Sequence, residues 1–301
     1  MRTGHSSPSP AKSRIATTMA KAGIFSEALP FIKAFRGSTV VVKYGGSAMV
    51  DEALRSSFAD DVAMLHYVGI RPVIVHGGGP HISRGMEQRG IVPQWIDGLR
   101  VTDTAVMRVV QATLAGEINP DIVRLMNSHG SLAAGVNGLD ANTFVARPVD
   151  ERLGYVGEVA KVDPALILGL QSQGFVPVVA PLARGEDGHA YNINADTAAA
   201  ALAIALGATK LVYLTDVEGV YRDFSDPDSL IGRTSADDIA DLLASGGASS
   251  GMVPKLKSCL AAAAGGVEHV HILDGRTQHS LLLEIFTPEG IGTMITREVE
   301  R

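Results

Sequence analysis

The chain has 301 residues, 46% of them hydrophobic, which is enough to fill one large core or two modest ones. A formal net charge of −6 speaks against a nucleic-acid surface. No apolar run reaches the about 20 residues a membrane helix needs, and the single cysteine, Cys259, excludes an internal disulfide and a Cys-x-x-Cys metal site.

Residues 1–18, MRTGHSSPSPAKSRIATT, are rich in Ser, Pro and basic residues, with no acid before Glu27. A solvated, disordered tail fits this composition. A transit peptide is also Arg- and Ser-rich, but two close prolines and weak amphipathicity favour the tail. No secretory apolar region is present, so a cytoplasmic protein is expected. Residues 19–36, MAKAGIFSEALPFIKAFR, form a helical pattern with an apolar face of Ile24, Ala28, Phe31 or Ile32, and Phe35. Pro30 inside it predicts a kink. That face suits either its own core or a second subunit.

Five short apolar runs follow: TVVVKY (39–44), RPVIVHG (71–77), FVPVVAPL (175–182), KLVYLTD (210–216) and EHVHILDG (268–275). They lack polar alternation, as strands buried on both faces do. Between them, Leu54, Phe58, Val62 and Leu65 make one helical stripe. Ala195–Ala208 and MVPKLKSCLAAAAGG read as buried helices; Cys259, in the latter, suits packing rather than nucleophilic chemistry. Alternating strand and helix predicts an α/β fold, a sandwich around a mostly parallel sheet. The stretch 132–163 breaks the rhythm. Its Asn137-Gly138 pair, and the LGYVGEVAKVD that follows, predict β-hairpins laid on that core.

Four places invite chemistry. Lys43-Tyr44-Gly45-Gly46 ends the first strand. Gly77, Gly78 and Gly79 end the second, ahead of a helix that His81 opens. Backbone N–H groups at such a helix start face an anion. A dinucleotide fold would want a third glycine where Ile82 stands, and no G-x-x-x-x-G-K-[ST] loop occurs. His76 and His81 have no metal-ligand company at a recognisable spacing. Asn192, Asn194 and Asp196 crowd the loop from the strand FVPVVAPL into the Ala195–Ala208 helix, more polar groups than capping needs. Lys255 and Lys257 follow the Ser/Gly loop SGGASSGMVP at a positive helix end, where a lysine makes most sense beside a bound anion.

Taken in order, VVKYGG, VHGGGP, GLRVT, NINADTAA, TDVEGVY and GMVPK resemble the amino acid kinase family, from about residue 20 to residue 297. The resemblance implies a three-layer sandwich with β-hairpins over the substrate site and an extra N-terminal helix. It implies ATP- and Mg²⁺-dependent phosphorylation of a side-chain carboxylate, that of N-acetyl-L-glutamate, as a step of arginine synthesis. Residues 37–185 would bind the acyl substrate and form a dimer; residues 186–301 would bind ATP. By the resemblance Lys43 and Lys255 stabilise the transferring group and Asp196 orients them. Gly78, Gly79, Arg100 and Asn192 would hold the substrate. Gly45, Gly46, Thr215, Asp216, Gly219 and Tyr221 would meet the nucleotide, with no metal ligand from the protein. The 19–36 helix and the end of the chain resemble the arginine-inhibited members, which are hexamers built as trimers of dimers. His279, Glu284, Gly290 and Gly292 are the effector candidates. Sister kinases sharing the glycines, a non-catalytic arginine sensor and a nicotinamide-dependent oxidoreductase are the competing readings.

Overall fold

The computed structural model describes residues 10–297 except 224 and 250. One eight-stranded sheet forms the centre. Its order is Arg233–Ser235, Thr293–Thr296, His269–Asp274, Lys210–Thr215, Thr39–Tyr44, Arg71–His76, Val176–Ala180 and Ala133–Asn137. Every neighbouring pair is parallel except His269–Asp274 with Thr293–Thr296. The apolar runs occupy the middle, where both faces are covered.

Alternation along Thr39–Tyr44 divides the core. Val40, Val42 and Tyr44 join one apolar cluster, and Val41 joins the other. The first contains Phe58, Val62 and Leu65 of the helix Glu52–Tyr67, with Leu114, Ile118 and Ile122. The second contains Ala198, Ala199 and Leu202 of Ala195–Ala205, with Leu256, Cys259 and Ala262 of Val253–Ala264. Each fully buried valine or leucine contributes about 1.5–3 kcal/mol. The three layers are those expected from the sequence.

The stretch 132–163 needs one correction. Phe144–Pro148 and Val156–Val162 do pair as an antiparallel hairpin, and with Leu182–Gly185 and Ala190–Ile193 they close a four-stranded barrel. The hairpin expected at Asn137-Gly138 does not form. Ala133–Asn137 instead adds in parallel to Val176–Ala180 at the sheet edge. A two-residue hairpin turn wants positive φ at its central residues, whereas positive φ falls later, at Ala141 and Asn142. Asp140 holds the exit from the strand, accepting from the Asn137 backbone N–H at 2.8 Å and from its side chain at 2.9 Å.

The N-terminal helix spans Pro10–Phe35 and carries Pro30 inside it. It begins within the stretch expected to be a disordered tail, so the expectation for residues 10–18 is corrected; residues 1–9 lie outside the described residues. Pro10 suits a first helical turn, and the Ala, Lys and Arg that follow are strong helix formers. Ala28, Phe31, Ile32 and Phe35 pack on the core. Met19, Ile24, Phe25 and Leu29 stay more than 60% exposed (68%, 65%, 69% and 62%). Among the described residues no helix is long and apolar enough to cross a membrane. The central sheet runs unbroken past residue 186, and the barrel strand Ala190–Ile193 pairs with Val156–Val162 on the other side of that boundary.

Candidate active site

Side-chain parity sets up the first contact. Lys43 stands two residues after Val41, so it leaves the strand on the face that carries Ala195–Ala205. Asp196 lies in the first turn of that helix. Asn194 caps the turn, accepting the N–H groups of Asp196 at 2.8 Å and Thr197 at 3.1 Å. Lys43 Nζ is 3.0 Å from Asp196 Oδ1. From the first turn of Val253–Ala264, Lys255 Nζ reaches Oδ2 at 2.9 Å. Burial pushes the Asp196 carboxyl up, but the ammonium groups of Lys43 and Lys255 outweigh it and hold the pKa down at about 2. Burial pushes Lys255 below its usual value, against the pull of Asp196.

Beside this pair opens a cavity of about 260 Å³, walled by Lys43, Asp196 and both glycine loops. Gly46 has φ +72°, and a Cβ there would come within 2.6 Å of Asp216 Oδ1. Asp216 is also the acceptor for the Ser47 N–H at 2.8 Å. A Cβ on Gly78 would come within 2.6 Å of Leu114 and 2.7 Å of Ile118, so a side chain there would displace both. Gly79 has open space before it and starts the helix Gly79–Glu87.

Arg100 also lines the cavity. It is 6% exposed, and its guanidinium donates to Gly79 O at 3.0 Å and Ser83 Oγ at 2.8 Å. Burial lowers its pKa, though an arginine stays charged. Among the described residues it has no carboxylate partner. A buried, unpaired guanidinium is costly and fits a site that receives an acid. Asn192 lines the same cavity and donates to Thr102 Oγ1 at 3.4 Å.

The cavity thus gathers Lys43, Gly45, Gly46, Gly78, Gly79, Arg100, Asn192 and Asp196, and Lys255 joins through Asp196. Thr215, Asp216, Gly219 and Tyr221 lie outside it. Gly219 sits against Thr293, Tyr221 bonds Glu218, and Thr215 O receives the Gly275 N–H at 2.8 Å. The effector candidates fall in two places. Glu284 is buried; it takes His271 Nδ1 at 2.6 Å on one oxygen and the N–H groups of Ile291 (2.7 Å) and Gly292 (3.2 Å) on the other. Gly290 lies against the same carboxylate. His279 belongs elsewhere, with Nδ1 2.7 Å from Asp61 and its N–H on Ser57 Oγ.

Three participants carried no motif. Trp95, the one tryptophan, lies on the cavity wall with the Arg100 guanidinium carbon 4.4 Å from its ring centroid. Lys210 and His271 extend the Glu284 cluster, Lys210 Nζ lying 3.3 Å from His271 Nε2 and 4.4 Å from the Phe35 ring centroid. Burial lowers the Lys210 pKa to about 8. The available signal was a lysine and a histidine inside otherwise apolar strands, since such residues are seldom buried without partners.

Known proteins resemble the chain over most of its length. The model of the amino acid kinase family matches residues 38–274. The chain belongs to the amino acid kinase family. Within it, the chain is 49% identical to the acetylglutamate kinase of Streptomyces avermitilis, over 94% of this chain and 95% of that one. It is also 49% identical to the acetylglutamate kinase of Symbiobacterium thermophilum, over 92% and 98%. Among solved structures, N-acetylglutamate synthase from Neisseria gonorrhoeae, complexed with coenzyme A and N-acetyl-glutamate, superposes with a TM-score of 0.81 at 32% identity. That match covers 92% of this chain and 64% of the synthase chain. Carbamate kinase from Giardia lamblia shares the fold, with a TM-score of 0.63 at 18% identity over 87% and 99%.

Proposed function

We propose that the protein transfers the γ-phosphoryl group of ATP to the side-chain carboxylate of N-acetyl-L-glutamate, giving N-acetyl-L-glutamyl 5-phosphate and ADP. The observation that carries this reading is Asp196 held between Lys43 and Lys255 in the wall of a cavity that Arg100, without a carboxylate partner among the described residues, also lines. The acceptor is a carboxylate, ionised at neutral pH, so no general base is needed. The obstacle is charge, because one anion must approach another. Positioning and neutralisation therefore supply the catalysis.

In this reading Arg100 grips the α-carboxylate of the acceptor through two parallel bonds, and Asn192 orients it. The N–H groups at Gly78 and Gly79 face the group in transfer. Lys43 and Lys255, both held and aimed by Asp196, neutralise its oxygens. Gly45 and Gly46 admit the nucleotide phosphates, and Thr215, Asp216, Gly219 and Tyr221 border the nucleoside. Residues 37–185 serve the acyl substrate and residues 186–301 serve ATP. In this reading Mg²⁺ would enter on the ATP phosphates and neutralise part of their charge.

The same proposal includes feedback by L-arginine and assembly into a hexamer, a trimer of dimers, in the cytoplasm. Support comes from the buried Glu284 carboxylate with Gly290 and Gly292 against it, to which the Phe35–Lys210 and Lys210–His271 contacts tie the N-terminal helix. It comes also from the exposed apolar face of that helix, and from a second structure of the gonococcal synthase, complexed with coenzyme A and L-arginine (TM-score 0.77, 32% identity, covering 92% of this chain and 65% of that one). His279, outside that cluster, is the weaker effector candidate. ADP release that requires ATP, Mg²⁺ and N-acetyl-L-glutamate together is the expected result in a coupled assay. No release beyond ATP hydrolysis would sink the reading.

A further inference from the structure

His76 closes the Arg71–His76 strand and is fully buried, on the face where Asn119 stands. Its Nδ1 lies 2.9 Å from Gly77 O. A carbonyl only accepts, so Nδ1 carries the proton and Nε2 is bare. Asn119 Nδ2, with two hydrogens for three acceptors, then shares them among Nε2 at 3.2 Å, Val178 O at 2.8 Å and Val136 O at 3.2 Å. Burial holds the imidazole pKa at about 4, so this neutral tautomer persists at physiological pH.

Asn119 has its own support. A Cβ on Gly135 would come within 2.1 Å of Asn119 Oδ1, so the amide occupies space that only a glycine leaves. The residues just before it, Ala112–Ile118, form a π-helical segment, which turns Leu114 and Ile118 onto Gly78. Nothing in the phosphoryl-transfer reading uses His76, Asn119 or Gly135, yet they form a chain: Gly135 leaves room for Asn119, Asn119 bonds His76, and His76 bonds one peptide.

That peptide joins Gly77 to Gly78. It is trans, so its carbonyl and its N–H point to opposite sides. With the carbonyl tied to His76 in the core, the Gly78 N–H turns the other way, and it finds no acceptor among the described residues. Gly77, Gly78 and Gly79 all line the cavity. We propose that His76, held by Asn119, is a positioning residue that locks the Gly77–Gly78 peptide so that the Gly78 N–H faces the phosphoryl group. A glycine loop has the freedom to flip this peptide; the imidazole removes it. This rests on the proposed phosphoryl-transfer reading.

Two substitutions separate positioning from packing. An asparagine places its amide N–H where Nδ1 stands, whereas a glutamine reaches the Nε2 position and gives up the bond to Gly77. His76→Gln fills the space better and keeps the Asn119 contact, so a packing role favours it. A positioning role favours His76→Asn. The readouts are kcat, both KM values, thermal midpoint, and the Kd for inorganic phosphate read from the fluorescence of Trp95. The expected result is a kcat lower by about tenfold to hundredfold in His76→Gln than in His76→Asn, a fraction of what losing an oxyanion donor costs. The KM for the acceptor should differ less than about twofold, and phosphate should bind about tenfold more weakly to His76→Gln. Phosphate binding does not depend on which acid is the acceptor, so this arm holds even if the substrate assignment fails. Equal kcat and equal phosphate affinity in the two variants, or losses that follow the thermal midpoints, would overturn the proposal.

Discussion

The ammonium groups of Lys43 and Lys255 hang on opposite oxygens of one carboxylate, 3.0 and 2.9 Å away. Asp196 thereby keeps two like charges close without letting them repel freely. Both lysines are preorganised before any substrate arrives, so little reorganisation remains for the transition state.

Removing either lysine should cost rate rather than affinity. Lys43→Ala and Lys255→Ala are each expected to lower kcat by about 10²–10³, with the KM for ATP changing much less. Steady-state kinetics at saturating acceptor check this. Near-normal kcat in both variants would contradict the roles assigned.

Asp196 also makes a pH prediction. Its folded pKa of about 2 lies below the ordinary 3.8. As pH falls, the unfolded chain takes up the proton first, so the carboxylate's contribution is full above about pH 5 and is lost between about pH 4 and 2. It amounts to about 2 kcal/mol. The stability gap between wild type and Asp196→Asn should therefore narrow across that window in denaturant melts. A gap that stays constant from about pH 6 to pH 2.5 would contradict the pairing.

Arg100→Lys keeps the charge and loses the planar fork. The KM for the acyl acceptor should rise about tenfold or more, as expected when one charged hydrogen bond is lost, while the KM for ATP holds. An effect confined to ATP would place the acceptor elsewhere.

The outward face of the N-terminal helix gives a separate test. Phe25→Asp and Leu29→Asp alter exposed positions (69% and 62%), so the fold should survive. Sedimentation velocity is expected to show dimers in place of hexamers, with weaker inhibition by L-arginine. Unchanged hexamers with full sensitivity would refute the link.

Much of this was legible because local and global signals agree. The apolar runs around Val41, Val73 and Val178 have no polar face, so only the centre of a sheet could take them. Lys43, Gly78 and Asp196 stand just past or just inside element ends, where motif and geometry coincide. Legibility fails where distant residues decide. Asn137-Gly138 carries a hairpin signal, but its strand found a better partner in Val176–Ala180. Trp95 and the Lys210–His271–Glu284 chain depend on contacts between remote segments, which no spacing encodes. Residues 10–18 read as tail by composition, yet they continue a helix whose later turns pack on the core.

By the proposed function, this cavity moves a phosphoryl group onto the carboxylate of an acylated amino acid. The most direct measurement is ATP-dependent acyl phosphate formation, trapped with hydroxylamine, on N-acetyl-L-glutamate, L-glutamate and L-aspartate in parallel. Hydroxamate from N-acetyl-L-glutamate, with at most a trace from the free amino acids, is the result expected. Equal or greater product from L-glutamate or L-aspartate, or none from any of the three, would contradict it.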